Sequence, residues 1–85
     1  MIVIVTLGCK GPQFPMDALG EVDRALANIG LKKQVRSALV PGKEFSVTYD
    51  GPSVDKSKIS ETVRPIADRN SLSLSVEVEE SVSFP

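Results

Sequence analysis

The chain has no histidine, no tryptophan and a single cysteine, Cys9, among its 85 residues. One cysteine cannot form an internal disulfide, and without histidine neither a Cys/His zinc site nor a His-based catalytic triad can be assembled. We therefore favour a non-catalytic role. The scarcity of cysteine also suits a reducing compartment, so we expect a cytoplasmic protein.

Excess charge of one sign and long apolar runs are also missing. Ten basic residues against eleven acidic ones leave a formal net charge of -1, which argues against sequence-independent nucleic-acid binding. The apolar start, residues 1–5, is too short for a signal segment, and no stretch approaches the roughly 20 apolar residues of a membrane span. Aromatic residues make up only 5% of the chain. We expect a core of Val, Ile, Leu and Ala, which is small enough for self-association to help.

What the sequence does contain is an internal repeat. Val5-Thr6-Leu7 leads into Gly11-Pro12, and Val47-Thr48-Tyr49 leads into Gly51-Pro52. An offset of 40 then pairs residues of like type: Leu19 with Ile59, Glu21 with Glu61, Arg24 with Arg64, Ala27 with Ala67. The repeat predicts one domain over residues 1–85, built from a unit at 2–40 and a second at 44–84.

Each unit reads as strand, helix, strand. In the first, the β-branched run 2–7 predicts a central strand, an apolar stripe predicts a helix over 16–29, and alternation predicts a strand over 31–40. In that last strand we expect Leu31, Val35 and Leu39 on one face, and Lys32, Gln34 and Arg36 on the other.

The second unit follows the turn signal Pro41-Gly42. Alternation predicts a strand over 45–49 and another over 72–78, with a bulge at 80–81. Between them we expect a helix over 56–69, capped by Ser53 or Asp55 and disturbed at Pro65, which cannot donate a helical hydrogen bond.

The order strand–helix–strand, strand–helix–strand predicts an α+β, ferredoxin-like βαββαβ two-layer sandwich. The expected sheet is antiparallel with strand order 4-1-3-2, and both helices cover one face.

Two ends of this sheet could hold small ligands. The loop after strand 1, beside the start of helix 1, gathers Lys10, Gly11 and Lys43 into a possible anion site; the alternative is a connection with ordinary solvated lysines. The opposite end carries four carboxylates that could hold a divalent cation such as Ca²⁺, or could simply be solvated: Asp50, Asp55, Glu79 and Glu80. We expect no other cofactor.

Residues 10–15 are similar to the phosphate loop of acylphosphatases at Gly11 and Phe14. The resemblance implies this same fold and a phosphate-binding loop after strand 1. The family's phosphate-binding arginine would follow the aromatic residue, where this chain has Pro15, and no asparagine stands in strand 3 to orient water. Both departures remove catalytic groups, so we expect no acylphosphatase activity.

The sequence therefore favours a small, non-catalytic binding module. We expect it to self-associate or to dock on a protein partner through its sheet face or strand edges. The alternative is a regulatory domain that binds a small ligand or ion at one of the two ends.

Overall fold

In the computed structural model, residues 1–79 are described. These residues form six elements in the following order: β1 Ile2–Cys9, α1 Asp17–Ala27, β2 Lys32–Val40, β3 Glu44–Asp50, α2 Lys56–Arg69 and β4 Leu72–Glu79. The predicted element order is confirmed. The predicted bulge at 80–81 lies outside the described residues.

The four strands form one antiparallel sheet in the order β2-β3-β1-β4. This is the predicted order 4-1-3-2 read from the other edge, and the ferredoxin-like α+β sandwich is confirmed. β1 is central because its side chains are apolar on both faces. Val3, Val5 and Leu7 are fully buried on the helix side, while Ile2 and Ile4 are half-buried on the other.

A single apolar core lies between the sheet and the helices. Its helical residues follow the 3.6-residue period, as the stripes predicted: Ala18, Leu19, Val22 and Leu26 from α1, with Ile59, Val63, Ile66 and Ala67 from α2. Among residues 1–79, every buried side-chain nitrogen or oxygen has a hydrogen-bond partner. No helix in that range is long and apolar enough to cross a membrane.

Helix α1 is shorter than predicted. It ends at Ala27 because Gly30 adopts a φ of +93°, and the Gly30 and Leu31 N–H groups return to the carbonyls of Ala27 and Leu26. This bonding pattern closes helices that finish on glycine. The turn leads straight into Leu31, which is fully buried.

Helix α2 has the predicted bounds and continues through Pro65, so the proline does not end it early. Asp55 occupies the N-cap position with extended backbone, but its side chain makes no capping hydrogen bond. Pro65 lies on the exposed side of the helix.

The predicted facing of β2 is wrong. Shifts in its pairing with β3, at Gln34 and Leu39, change the alternation. Val35 lies opposite Thr48 and Arg36 opposite Val47. Because directly opposite residues share a face, Val35 lies on the open face and Arg36 on the helix face. Simple alternation had grouped Arg36 with Lys32 and Val35 with Leu31, whereas Val35 shares its face with Lys32, because alternation cannot account for a residue inserted by a bulge.

Candidate docking surface

The β2 strand is the least covered element of the sheet. All nine of its residues are exposed, and β2 occupies one edge, with β3 as its only neighbour among the described strands. The side chains of Val35 and Leu39 are each 53% exposed, and that of Val40 is 48% exposed. Edge strands present unpaired backbone N–H and C=O groups, so this edge combines free hydrogen-bonding groups with exposed apolar side chains.

The open face of the sheet adjoins this edge. Cross-strand pairing arranges it in rows that run from β2 to β4: Lys32–Asp50–Ile2–Glu79, Val35–Thr48–Ile4–Glu77 and Ser37–Ser46–Thr6–Ser75. Charged and apolar side chains concentrate at one end of the strands, and hydroxyl groups lie at the middle. Beside these hydroxyl groups, Ile2, Ile4 and Val35 form an apolar patch that sequence reasoning did not single out.

On the helix side, polar contacts hold β2 to α1. Arg36 donates to Asp23 at 3.2 Å, and the Lys33 ammonium lies 3.7 Å from the same carboxylate oxygen. The other carboxylate oxygen of Asp23 accepts a 2.5 Å hydrogen bond from the hydroxyl of Tyr49 in β3. We call these four side chains the Asp23 clamp.

One member of the Asp23 clamp, Tyr49, has a displaced pKa. Burial raises the pKa of Tyr49 far above its ordinary value, and the hydrogen bond and negative charge of Asp23 raise it further, while Arg36 opposes them. Tyr49 is fully buried. Asp23 lay outside the predicted sites because a single acid on a helix gives no pattern; only the fold brings residues 23, 36 and 49 together.

At the predicted anion site, the structure brings Lys43 and Gly11 into contact. The Lys43 ammonium donates to the Gly11 carbonyl at 2.5 Å, and the loop is held further by backbone bonds from Cys9 to Lys43 and from Phe14 to Gly42. Lys43 therefore stabilises the loop. Lys10 is exposed and lines a shallow cavity of about 300 Å³ together with Asp68, Ser71, Leu72 and Ser73.

At the predicted cation site, Asp50 and Glu79 lie on either side of Ile2 in neighbouring strands. Asp50 also lies 3.8 Å from the Met1 amino group, and Asp55 is the exposed N-cap of α2. Within residues 1–79, no three carboxylate or thiol groups come together as metal ligands would. Glu80, the fourth predicted residue, lies outside the described part.

Two further side chains, those of Cys9 and Arg69, contact other residues of the chain. The half-buried Cys9 thiol donates to the Gln13 carbonyl at 3.3 Å. Arg69 forms an ion pair with Glu21 that links α2 to α1.

No protein-family model and no curated protein matches the sequence. Among solved structures, the chain is similar to a formyltetrahydrofolate deformylase from Pseudomonas putida KT2440, with a TM-score of 0.67 and 13% sequence identity. The match covers 93% of this chain and 29% of the deformylase chain. At this identity the likeness shows the shared ferredoxin-like fold, and this chain corresponds to under a third of that protein's length.

Proposed function

We propose that the chain is a non-catalytic binding module that docks on a protein, its own copy included, through the β2 edge and the adjoining open face. The observation that carries the proposal is the exposure of β2. An entire strand without a buried residue, with three large apolar side chains about half exposed, is unusual on a free surface. Strand addition to such an edge is a common mode of protein recognition.

The comparison with the deformylase supports a modular role. The matched portion is under a third of a larger chain, as expected of a domain that works alongside other parts. No activity is transferred from that protein, because a fold alone does not define chemistry. We also propose a cytoplasmic location, since one free cysteine suits a reducing compartment.

Site-specific photo-cross-linking tests this proposal. A photoreactive side chain replaces Leu39 in β2, and a matched variant carries it at Ser75 in β4, which is equally part of an exposed edge strand. In the cells that make the protein, we expect the Leu39 probe to form a discrete cross-linked product with a protein, and the Ser75 probe to form none. If neither probe, or both equally, gave products, β2 would not be the docking surface.

A second candidate is the regulatory domain that binds a small ligand. The exposed ammonium of Lys10 beside its shallow cavity favours an anion there, and the acidic residues Asp50, Asp55, Glu79 and Glu80 remain our proposal for a divalent cation. Titrations with phosphate, nucleotides and Ca²⁺, followed by backbone amide NMR, test both. We expect shifts in residues 8–17 for an anion, or near Asp50 and Asp55 for Ca²⁺. Unchanged spectra at millimolar ligand would contradict this candidate.

A further inference from the structure

The two edges of the sheet differ in how they oppose pairing with another strand. β4 presents Glu77 and Glu79 at its exposed positions, and charges on an edge discourage strand addition. In β2 the charged residues are Lys32, Lys33 and Arg36, all in the first five positions. From Ser37 to Val40 the strand has neither charge nor proline. The second half of β2 thus carries no charge or proline that would discourage strand addition.

The charge distribution selects the direction of pairing. If two copies of β2 paired in parallel, their basic halves would lie side by side, and like charges directly opposite are destabilising. Antiparallel pairing sets the basic half of each strand against the uncharged half of the other. A second copy of this chain is therefore a partner whose charge pattern complements β2.

The faces of β2 limit the register. Val35 and Ser37 lie on the open face, and Arg36 and Ala38 lie on the helix face, as their partners in β3 show. Opposite residues must share a face, and a shift by one residue exchanges the faces. The antiparallel registers that satisfy this over residues 35–38 are centred on Arg36 or on Ser37. Centring on Arg36 would oppose two guanidinium groups, whereas centring on Ser37 opposes Arg36 to Ala38.

We propose that two copies pair through antiparallel β2 strands about a two-fold axis at Ser37. This pairing joins the two four-stranded sheets into a single sheet of eight strands. Val35 of each copy then lies opposite the bulge residue Leu39 of the other, which brings the exposed apolar side chains of the two copies next to each other. This inference rests on the proposed function, because it names the partner of the β2 edge. One pair of edge strands buries less surface than a stable interface, which buries roughly 1,200–2,000 Å². The dimer therefore forms reversibly as the protein concentration rises.

Disulfide trapping tests the register. In a Cys9→Ala background, S37C places two thiols opposite each other across the axis, at about the 4.5–5.5 Å Cα separation of antiparallel partners, which a disulfide can span. S75C is the matched control on β4. Under mild oxidation at millimolar protein, we expect a covalent dimer from S37C within the time that S75C remains monomeric. Equal cross-linking of both variants, or none from S37C, would overturn the proposed pairing.

Sedimentation equilibrium tests the association itself. We expect the mass of the unmodified protein to rise towards that of a dimer with concentration. The double variant Val35→Lys with Leu39→Lys should remain monomeric, with an unchanged circular dichroism spectrum. A strict monomer at millimolar concentration would overturn the inference. The proposed function would still stand if the Leu39 probe cross-linked to a different protein, and it would fail separately if that probe captured nothing.

Discussion

The two edges of the sheet are built differently. In β4 the alternating side chains Leu72 and Val76 are buried beneath helix α2. In β2 no side chain is buried, although the strand is one residue longer than β4. An edge strand belongs to the hydrophobic core only where a helix packs apolar side chains against it. Helix α1 contacts β2 through the polar Asp23 clamp and buries none of the nine β2 residues. One edge is therefore held by the core, and the other is available for contact.

What holds β2 in place differs as well. The Asp23 clamp joins β2 and β3 to α1 through hydrogen bonds and ion pairs. Polar contacts can fix the position of a strand while removing little apolar surface from water. β2 is therefore ordered by β3 and the clamp while its apolar side chains stay exposed.

The largest expected effect is a difference in the free energy of unfolding between truncations on the two edge strands, because only β4 packs into the core. Leu72→Ala should lower the free energy of unfolding by about 2–5 kcal/mol, because it leaves a cavity beneath α2. Leu39→Ala in β2 should change it by no more than about 0.5 kcal/mol, since that side chain is already half in water. Urea denaturation of both variants at dilute, monomeric concentration measures the difference. Equal losses would show that a partner covers Leu39 even under those conditions.

The next effect tests the clamp. Asp23→Ala should lower the free energy of unfolding by about 1–3 kcal/mol, because the buried Tyr49 hydroxyl loses its acceptor. Asp68→Ala, an exposed acid on α2, is the control and should stay within about 0.5 kcal/mol. Adding Tyr49→Phe to the Asp23 variant should restore part of the loss, since no unpaired hydroxyl then remains buried. If the two changes were simply additive, the hydrogen bond would not contribute as described.

The smallest effect concerns pH. The pKa of Tyr49 is raised in the folded chain, whereas an unfolded tyrosine ionises near pH 10. Above about pH 10 only the unfolded state loses this proton, so stability should fall with rising pH, by up to about 1.4 kcal/mol per pH unit. Tyr49→Phe should show a shallower decline. Denaturation series at alkaline pH measure both slopes.

Absorbance gives an independent check, because Tyr49 is the only tyrosine. The tyrosinate band should develop together with unfolding, followed by circular dichroism. A band that developed near pH 10 in the folded protein would contradict the raised pKa.

Periodicity predicted the fold well where one residue type repeats on one face. The apolar stripes identified α1 and α2, the continuous apolar run identified β1, and the regular alternation identified β4. The order of these elements then predicted the observed sheet topology. The interpretation of the chain as one duplicated domain stays a prediction. The facing of β2 failed because two bulges interrupt an otherwise regular alternation, and a bulge at Gln34 or Leu39 has no glycine to signal it.

The predicted sites show the same limit. The structure brings Lys43 and Gly11 together, and their contact is with each other. Asp50 and Glu79 lie on the two strands that flank Ile2, and a cation site there stays a prediction. The Asp23 clamp could not be found from spacing, since its members come from three elements and each is unremarkable alone.

The sequence by itself determined the six elements, their order and the side chains that must leave water, because those depend on local period and apolar content. Only the tertiary structure decided which apolar side chains remain outside. Val35, Leu39 and Val40 are as hydrophobic as the residues of the core, yet they stay exposed because α1 contacts β2 through the polar Asp23 clamp and because the helices lie on the sheet face opposite to Val35. The distribution of helices over the sheet, set by chain connectivity and the packing of α1 against α2, made β2 the surface on which the proposed function depends.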